Sequence, residues 1–219
     1  MAHAPLKAAA PLLDMVPISA SALPLFPLQV VLFPGGLLSL KVFEARYLDL
    51  MSYCLRELRP FGVVALRKGS EVRAHKDRIE FESTGVLAEL LDVDSSQAGI
   101  LNVRCRGTSR FTLESSQQRD DGLWLADSEA VPDDAAIRPG PELHDTVRGL
   151  ANAIATLDAQ GASPFLQPYE FENAGWVANR WCEILPIPLG AKQKLMELSD
   201  PSVRLKLVAD FLRSKDVVK

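Results

Sequence analysis

The chain has 219 residues, of which 47% are hydrophobic and 24% charged, and its net charge is -4. This balance is typical of a folded protein with a sizeable core, and the acidic excess argues against nucleic acid as a partner. The three cysteines are far apart in sequence, so they indicate neither a disulfide framework nor a metal-binding pair, and they fit the reducing cytoplasm. No apolar run approaches the roughly 20 residues that cross a bilayer.

The N-terminal third begins with a proline-punctuated stretch, residues 1–22, which predicts a loose arm. Short apolar runs then predict strands at 23–26, 29–33 and 37–43, separated by proline and by the sequence FPGG. Adjacent glycines permit backbone angles that other residues avoid, so FPGG is interpreted as a turn. A phosphate-binding loop would lead into a helix instead.

An amphipathic helix is predicted at 44–59, because its apolar residues fall on one helical face and Pro60 ends the pattern. Alternating segments then predict strands at 60–66, at 83–94 and from residue 100 onward, and Asp121-Gly122 predicts a hairpin turn. Residues 23–131 are therefore expected to form an antiparallel β domain, a sheet or barrel, that holds one helix.

A linker rich in proline, glycine and aspartate is predicted at 132–142. Beyond it, apolar residues recur at helical spacing, and residues 143–219 predict a helical bundle. Asp200-Pro201 is an N-cap followed by proline at the first helical position. The expected fold class is α+β, with the β domain first.

The stretch LPLFPLQVVLFPGGLLSLKVFEARYLDLM, from Leu23 to Met51, resembles the opening signature of the N-terminal substrate-binding domain of Lon proteases. RGTSRF, at 106–111, is similar to a later strand of that family, although Thr108 stands where the family pattern places arginine. The resemblance extends to Leu212. A structural role is expected for the motif residues Phe33, Pro34, Gly35, Phe43, Glu44, Arg46 and Tyr47.

The resemblance implies a PUA-like β fold and the binding of exposed segments of other proteins. Lon proteases continue into an ATPase module with a Gly-x-x-x-x-Gly-Lys-Ser/Thr loop and a peptidase domain with a Ser-Lys pair. No such loop occurs here, and no room for either module remains before Lys219. We therefore expect a stand-alone bacterial protein that binds a polypeptide partner in the cytoplasm, with no catalytic residue, cofactor or metal.

Two other function classes stay open. A PUA-like module could bind RNA through the basic stretch 67–78, but no aromatic residue interleaves there to stack on bases. A hydrolase with an unrecognised site is the second, but His3 lies in the arm, His75 and His144 lie in polar stretches, and no nucleophile motif is present. Cys54 and Cys182 are expected to be packed thiols, and the arginines flanking Cys105 face the other side of a strand.

A binding surface for a polypeptide requires apolar side chains with a polar rim. The natural place is the cleft between the β domain and the bundle. Pro164 and Pro168 keep the nearby aromatics out of a regular helix. The candidate ligand-binding residues are Phe61, Trp124, Phe165, Tyr169, Phe171 and Trp176.

Overall fold

The structure is a computed structural model that describes residues 22–69 and 79–218. Residues 1–21 of the predicted arm and residues 70–78 of the basic stretch, including His3 and His75, lie outside the described residues. The fold class is α+β, as predicted. The strands are β1 (Leu23–Leu28), β2 (Leu37–Val42), β3 (Phe61–Lys68), β4 (Glu80–Phe81), β5 (Thr84–Gln97), β6 (Ile100–Gln118) and β7 (Trp124–Ala130).

The helices lie where the sequence pattern places them. They are α1 (Ala45–Glu57), α2 (His144–Ala159), α3 (Ala174–Ile184), α4 (Leu189–Glu197) and α5 (Pro201–Ser214), with a short 3-10 turn at Pro141–Leu143. Asp200 caps α5 as predicted, since its side chain accepts bonds from the N–H groups of Ser202 and Val203. No helix in the described part of the chain is long and apolar enough to span a membrane.

The strand predicted at 29–33 is wrong. β1 continues through Pro27 to Leu28, and the chain then crosses to β2 without strand pairing. Proline is tolerated there because β1 pairs with β7 only over Leu23–Leu25, so Pro27 lies beyond that ladder. The apolar run at Val31–Phe33 reflects burial in the core rather than a strand.

Five strands form a closed ring. β1 pairs with β7, β7 with β6, β6 with β5 and β5 with β3, and a parallel pairing of β3 with β1 closes it. The predicted sheet or barrel is therefore a barrel. β2 lies outside the ring and pairs with the first half of β6. The short β4 is also outside the ring and pairs with the end of β3.

The motif that opens α1 attaches this helix to the sheet. The ring of Tyr47 stacks on Phe26 of β1, with 3.8 Å between the ring centroids. Arg46 is buried, forms a 2.8 Å ion pair with Glu44, and donates from Nη1 to the carbonyl of Gly122 at 2.9 Å. These contacts join the start of α1 to the turn before β7. Phe43, by contrast, is half exposed.

The helical part packs around α3, in which nine of eleven residues are buried. Buried apolar residues of the barrel and of the helices belong to one continuous core. A smaller cluster on the opposite face of β1 and β3 is formed by Leu25, Val64, Phe111 and Ala126. The junction between barrel and helices is therefore built from shared packing, and the predicted division at 132–142 remains a prediction.

Candidate functional site

A cavity of about 340 Å³ lies at the junction of the barrel and the helices. The FPGG turn, β6, the segment after β7 and the start of α3 each supply part of its wall. Its volume is within the range of small-ligand pockets. The lining residues are Pro34, Gly35, Arg106, Gly107, Thr108, Ser109, Arg110, Asp133, Asp134, Glu170, Asn173, Gly175, Trp176 and Asn179.

One wall of the cavity is a gap in the strand pairing of β6. The strand pairs with β5 along one side for most of its length. On the other side, Gly107 exchanges 2.8 Å backbone bonds with the FPGG turn, and pairing with β7 begins at Phe111. Between these points no strand of the described chain pairs with Thr108 and Ser109 on this side. The cavity therefore borders a short stretch of unpaired strand edge, which is a feature that extended peptides use.

Arg180 holds the FPGG turn against α3. Its guanidinium donates from Nη2 to the carbonyl of Pro34 at 2.9 Å and from Nη1 to the carbonyl of Gly35. Nη2 also forms a 2.8 Å ion pair with Glu183, one turn further along α3. Since the Arg180 side chain is fully buried, burial lowers its pKa, and Glu183 opposes that shift. The position of the turn is thus fixed by one buried cation.

Glu183 is largely withdrawn from solvent, with 18% of its side chain exposed. Burial raises the pKa of its carboxyl to about 7, although the charges of Arg180 and Lys192 act in the opposite direction. Lys192 donates to the backbone carbonyl of Glu183 at 2.9 Å rather than to the carboxylate. We attribute the net rise to burial, because the guanidinium of Arg180 is shared with two backbone carbonyls.

A second buried network fixes the segment after β7. Asp134 accepts from Arg110 Nη2 at 2.7 Å and from Arg204 Nη1 at 2.5 Å. Arg110 also donates to the carbonyls of Pro132 and Leu198, at 3.1 and 2.9 Å. Burial lowers the pKa of Arg110, and Asp134 opposes this shift. The arginine side chain at the cavity wall is therefore already engaged within the protein.

The charges at the mouth of the cavity are mostly acidic. Asp133 and Glu170 are exposed, and neither forms an ion pair within the described part of the chain. Glu170 accepts one bond from the side-chain amide of Asn173 at 3.1 Å. Arg106 is paired with Glu89 at 2.8 Å. The charge of Asp133 opposes the lowering of the pKa of Arg110, and the charge of Glu170 opposes the lowering of the pKa of Arg180.

The six aromatic residues predicted to bind a ligand lie in three different places. Trp176 lines the cavity, and Tyr169 and Phe171 pack against it with ring centroids 6.0 and 5.4 Å away. Phe165 is buried beside the turn and forms an isolated bridge with Gly36.

The other two aromatics lie in the barrel, away from the cavity. Phe61 has no exposed surface and packs near Phe26, with 6.2 Å between ring centroids. Trp124 contacts Phe81 edge to face at 5.2 Å. Of the six predicted residues, the structure brings four to the junction and leaves these two outside it.

The buried arginines that shape the site were not predicted from the sequence. Arg180, Arg110 and Arg204 are fully buried charges, whereas arginine in an amphipathic pattern usually indicates a solvated face. The spacing of Arg180 and Glu183 by three residues on one helix was a usable signal for an ion pair. Their partners in the turn are too distant in sequence to be inferred.

The thiols do not suggest catalysis. Cys54, Cys105 and Cys182 are free and buried, and burial raises the pKa of each to about 12. This is the opposite of the shift that activates a nucleophile. The predicted packing of Cys54 and Cys182 is confirmed. Among residues 22–69 and 79–218, no group of three or more His, Cys, Asp or Glu side chains could hold a metal ion.

The fold is that of N-terminal domains of Lon proteins. The crystal structure of a Lon N-terminal domain protein from Xanthomonas campestris is 31% identical, with a TM-score of 0.65, and the match covers 86% of this chain and 97% of that one. The N-terminal domain of the Lon protease of the Mycobacterium avium complex is 16% identical, with a TM-score of 0.57, and coverage is 86% and 96%. The latter likeness concerns the fold alone.

The family profile for the ATP-dependent protease La (LON) substrate-binding domain matches residues 22–214. The chain belongs to this family. It is 23% identical to the Lon protease of Anaeromyxobacter dehalogenans (strain 2CP-C) over 206 residues, and 24% identical to Lon protease 2 of Myxococcus xanthus over 205 residues. These matches cover 91% and 90% of this chain but 24% of each relative, so the chain spans about a quarter of their length.

Proposed function

We propose that this chain is a non-catalytic module that binds an exposed segment of another polypeptide in the cavity between the barrel and the helices. The observation that carries the proposal is the gap in the pairing of β6, because the unpaired edge at Thr108 and Ser109 borders a cavity with an aromatic residue, Trp176, in its wall. An extended segment supplies backbone groups for such an edge and side chains for such a pocket.

The chemistry of the buried groups supports binding without turnover. Burial keeps the thiols protonated. The buried arginine in the cavity wall donates its hydrogen bonds to acceptors within the protein. Membership in a substrate-binding family supports a polypeptide partner, while the net charge of -4 disfavours nucleic acid. Three unpaired buried thiols fit a reducing compartment, and we propose the cytoplasm.

Filling the cavity tests this proposal. Ser109→Trp places a large side chain in the lining, whereas Ser116→Trp places the same side chain on an exposed part of the same strand. We expect Ser109→Trp to lower the affinity for casein, an unfolded model protein, at least tenfold, and Ser116→Trp to leave it nearly unchanged. Binding is measured by fluorescence anisotropy, and circular dichroism checks folding. Equal affinity of both folded variants would contradict the proposal.

A further inference from the structure

The outer edge of β2, which is the side of Leu37–Val42 that faces away from β6, has no partner strand. β2 pairs with β6 along one side, and no strand of the described chain pairs with the other. At the start of this edge, Phe165 forms an isolated antiparallel bridge with Gly36, and the pairing does not continue along β2. None of the cavity-lining residues belongs to β2, so the outer edge is a separate surface.

The hydrogen bonds of the preceding turn determine which groups of β2 point outward. The carbonyl of Gly36 accepts a bond from the N–H of Gly107 in β6 at 2.8 Å. Backbone groups of successive strand residues point to alternate sides, so the N–H and C=O groups of Ser39 and Lys41 point away from β6. No backbone group of the described chain bonds to them. The outer edge thus presents unpaired donors and acceptors to an added strand.

The charge beside the outer edge is positive. Lys41 is exposed and forms no ion pair within the described residues, and the same is true of Arg104, which lies on the same face of the neighbouring β6. Glu44, just after β2, is already paired with the buried Arg46. The exposed aspartates of β5 share the face of Lys41, but that strand lies beyond β6, about 10 Å from β2. A strand added at the outer edge is therefore adjacent to Lys41 and remote from those carboxylates.

We propose that the outer edge of β2 binds an extended acidic segment of another polypeptide, which adds to the sheet as a further strand. The segment pairs with Ser39 and Lys41 through its backbone and places a carboxylate beside Lys41. Its alternate residues lie on the same face as Leu38 and Leu40, which favours apolar side chains there. This inference goes beyond the proposed function, because it concerns a second surface and does not depend on the cavity.

Peptides with alternating residues test the proposal on the wild-type protein. The probe is a labelled peptide of about ten residues, blocked at both ends, in which valine alternates with aspartate. Its counterpart carries lysine in place of aspartate. At low salt we expect the aspartate peptide to bind at least about fivefold more tightly than the lysine peptide, and the ratio to shrink as salt is added. Binding is measured by fluorescence anisotropy.

N-methylation of the peptide distinguishes strand addition from charge attraction alone. Aspartates opposite Ser39 and Lys41 direct their N–H groups toward β2, whereas the valines direct theirs away. Methyl groups on the nitrogens of two central aspartates should therefore weaken binding at least about tenfold, and methyl groups on two central valines should leave it nearly unchanged. Equal effects of the two methylation patterns would overturn the inference.

Protein variants then assign the charge preference to the outer edge. Lys41→Gln should reduce the preference for aspartate by at least about half, whereas Lys206→Gln, which removes an exposed lysine of α5, should retain it. An unchanged preference in folded Lys41→Gln would contradict the inference. Loss of aspartate-peptide binding in Ser109→Trp would also contradict it, because the peptide would then lie in the cavity.

The state of association tests the other possible occupant, a second copy of this chain. Lys41→Pro removes an outward N–H group and leaves the bonds to β6 in place. We expect wild type and this variant to sediment alike. A wild-type dimer that Lys41→Pro converts into a monomer would make a second copy the occupant and overturn the inference. Failure of the casein test with Ser109→Trp counts against the proposed function alone.

Discussion

The carboxylate of Glu183 occupies the space that a side chain on Gly36 would need. A Cβ atom at Gly36 would lie 2.3 Å from Glu183 Oε1. The φ angle of Gly36 is not positive, unlike that of Gly35 at +74°. Glycine at position 36 is therefore required by the close approach of α3, whereas glycine at position 35 is required by the turn itself.

We expect Gly36→Ala to destabilise the protein by about 1–3 kcal/mol, since the methyl group displaces Glu183 and also meets the carbonyl of Phe33, 2.9 Å away. In a Glu183→Ala background the same change should cost less. Urea denaturation of the four proteins in this double-mutant cycle measures the coupling. An equal cost in both backgrounds would show that the carbonyl of Phe33, and not the carboxylate, limits this position.

A comparison of Gly35→Ala with Gly99→Ala separates the cost of a left-handed φ angle from the cost of contact with a neighbouring side chain. Both glycines have left-handed φ values, +74° and +77°, so both substitutions should cost roughly 1–2 kcal/mol. A Cβ at Gly35 would also lie 3.3 Å from Arg180 Nη1, whereas nothing lies within 4 Å at Gly99. We expect the larger loss of denaturation midpoint for Gly35→Ala. Equal losses of stability would mean that the Arg180 side chain can move away from the new methyl group at no cost in free energy.

Stability is expected to depend on pH through Glu183. Because burial raises its pKa to about 7 from the ordinary value of 4.5, the folded protein binds this proton more tightly than the unfolded chain does. The resulting stabilisation is complete below about pH 4.5 and is lost as the pH rises through 7. Glu183→Gln removes the titration and keeps a neutral side chain of similar size.

The measurement is the difference in unfolding free energy between wild type and Glu183→Gln from pH 5 to pH 8. We expect wild type to lose stability relative to the variant across this range. Titration of the groups that both proteins share cancels in the difference. A difference that does not vary with pH would show that Arg180 keeps the carboxylate ionised throughout.

Phe165→Ser and Tyr169→Ser should behave differently although both residues belong to one irregular segment. Phe165 is 5% exposed, so its loss should cost about 3–5 kcal/mol. Tyr169 is half buried against Trp176, and Tyr169→Ser should remain folded but bind casein more weakly. Thermal melting and anisotropy are compared for each. Unchanged binding by folded Tyr169→Ser would place the binding surface elsewhere, most simply on the barrel.

Local patterns predicted most of the fold, because strand alternation, helical spacing, the Asp200 cap and the glycine turn are each specified by neighbouring residues. The error at 29–33 arose because burial and strand formation both produce apolar runs. Buried arginines were missed for a related reason. Arg180 and Arg110 are stabilised by carbonyls far away in sequence, and no local pattern indicates such partners.

The attachment of the turn by Arg180 also has a consequence for synthesis on the ribosome. The signature at the beginning of the chain is made first, yet the carbonyl of Pro34 receives its bonds from Asn179 and Arg180, which are made long afterwards. Until α3 has left the exit tunnel, water is the available partner for these carbonyls. The FPGG turn can therefore complete these contacts only after α3 has been made, and a nascent chain that ends before Ala174 lacks both donors.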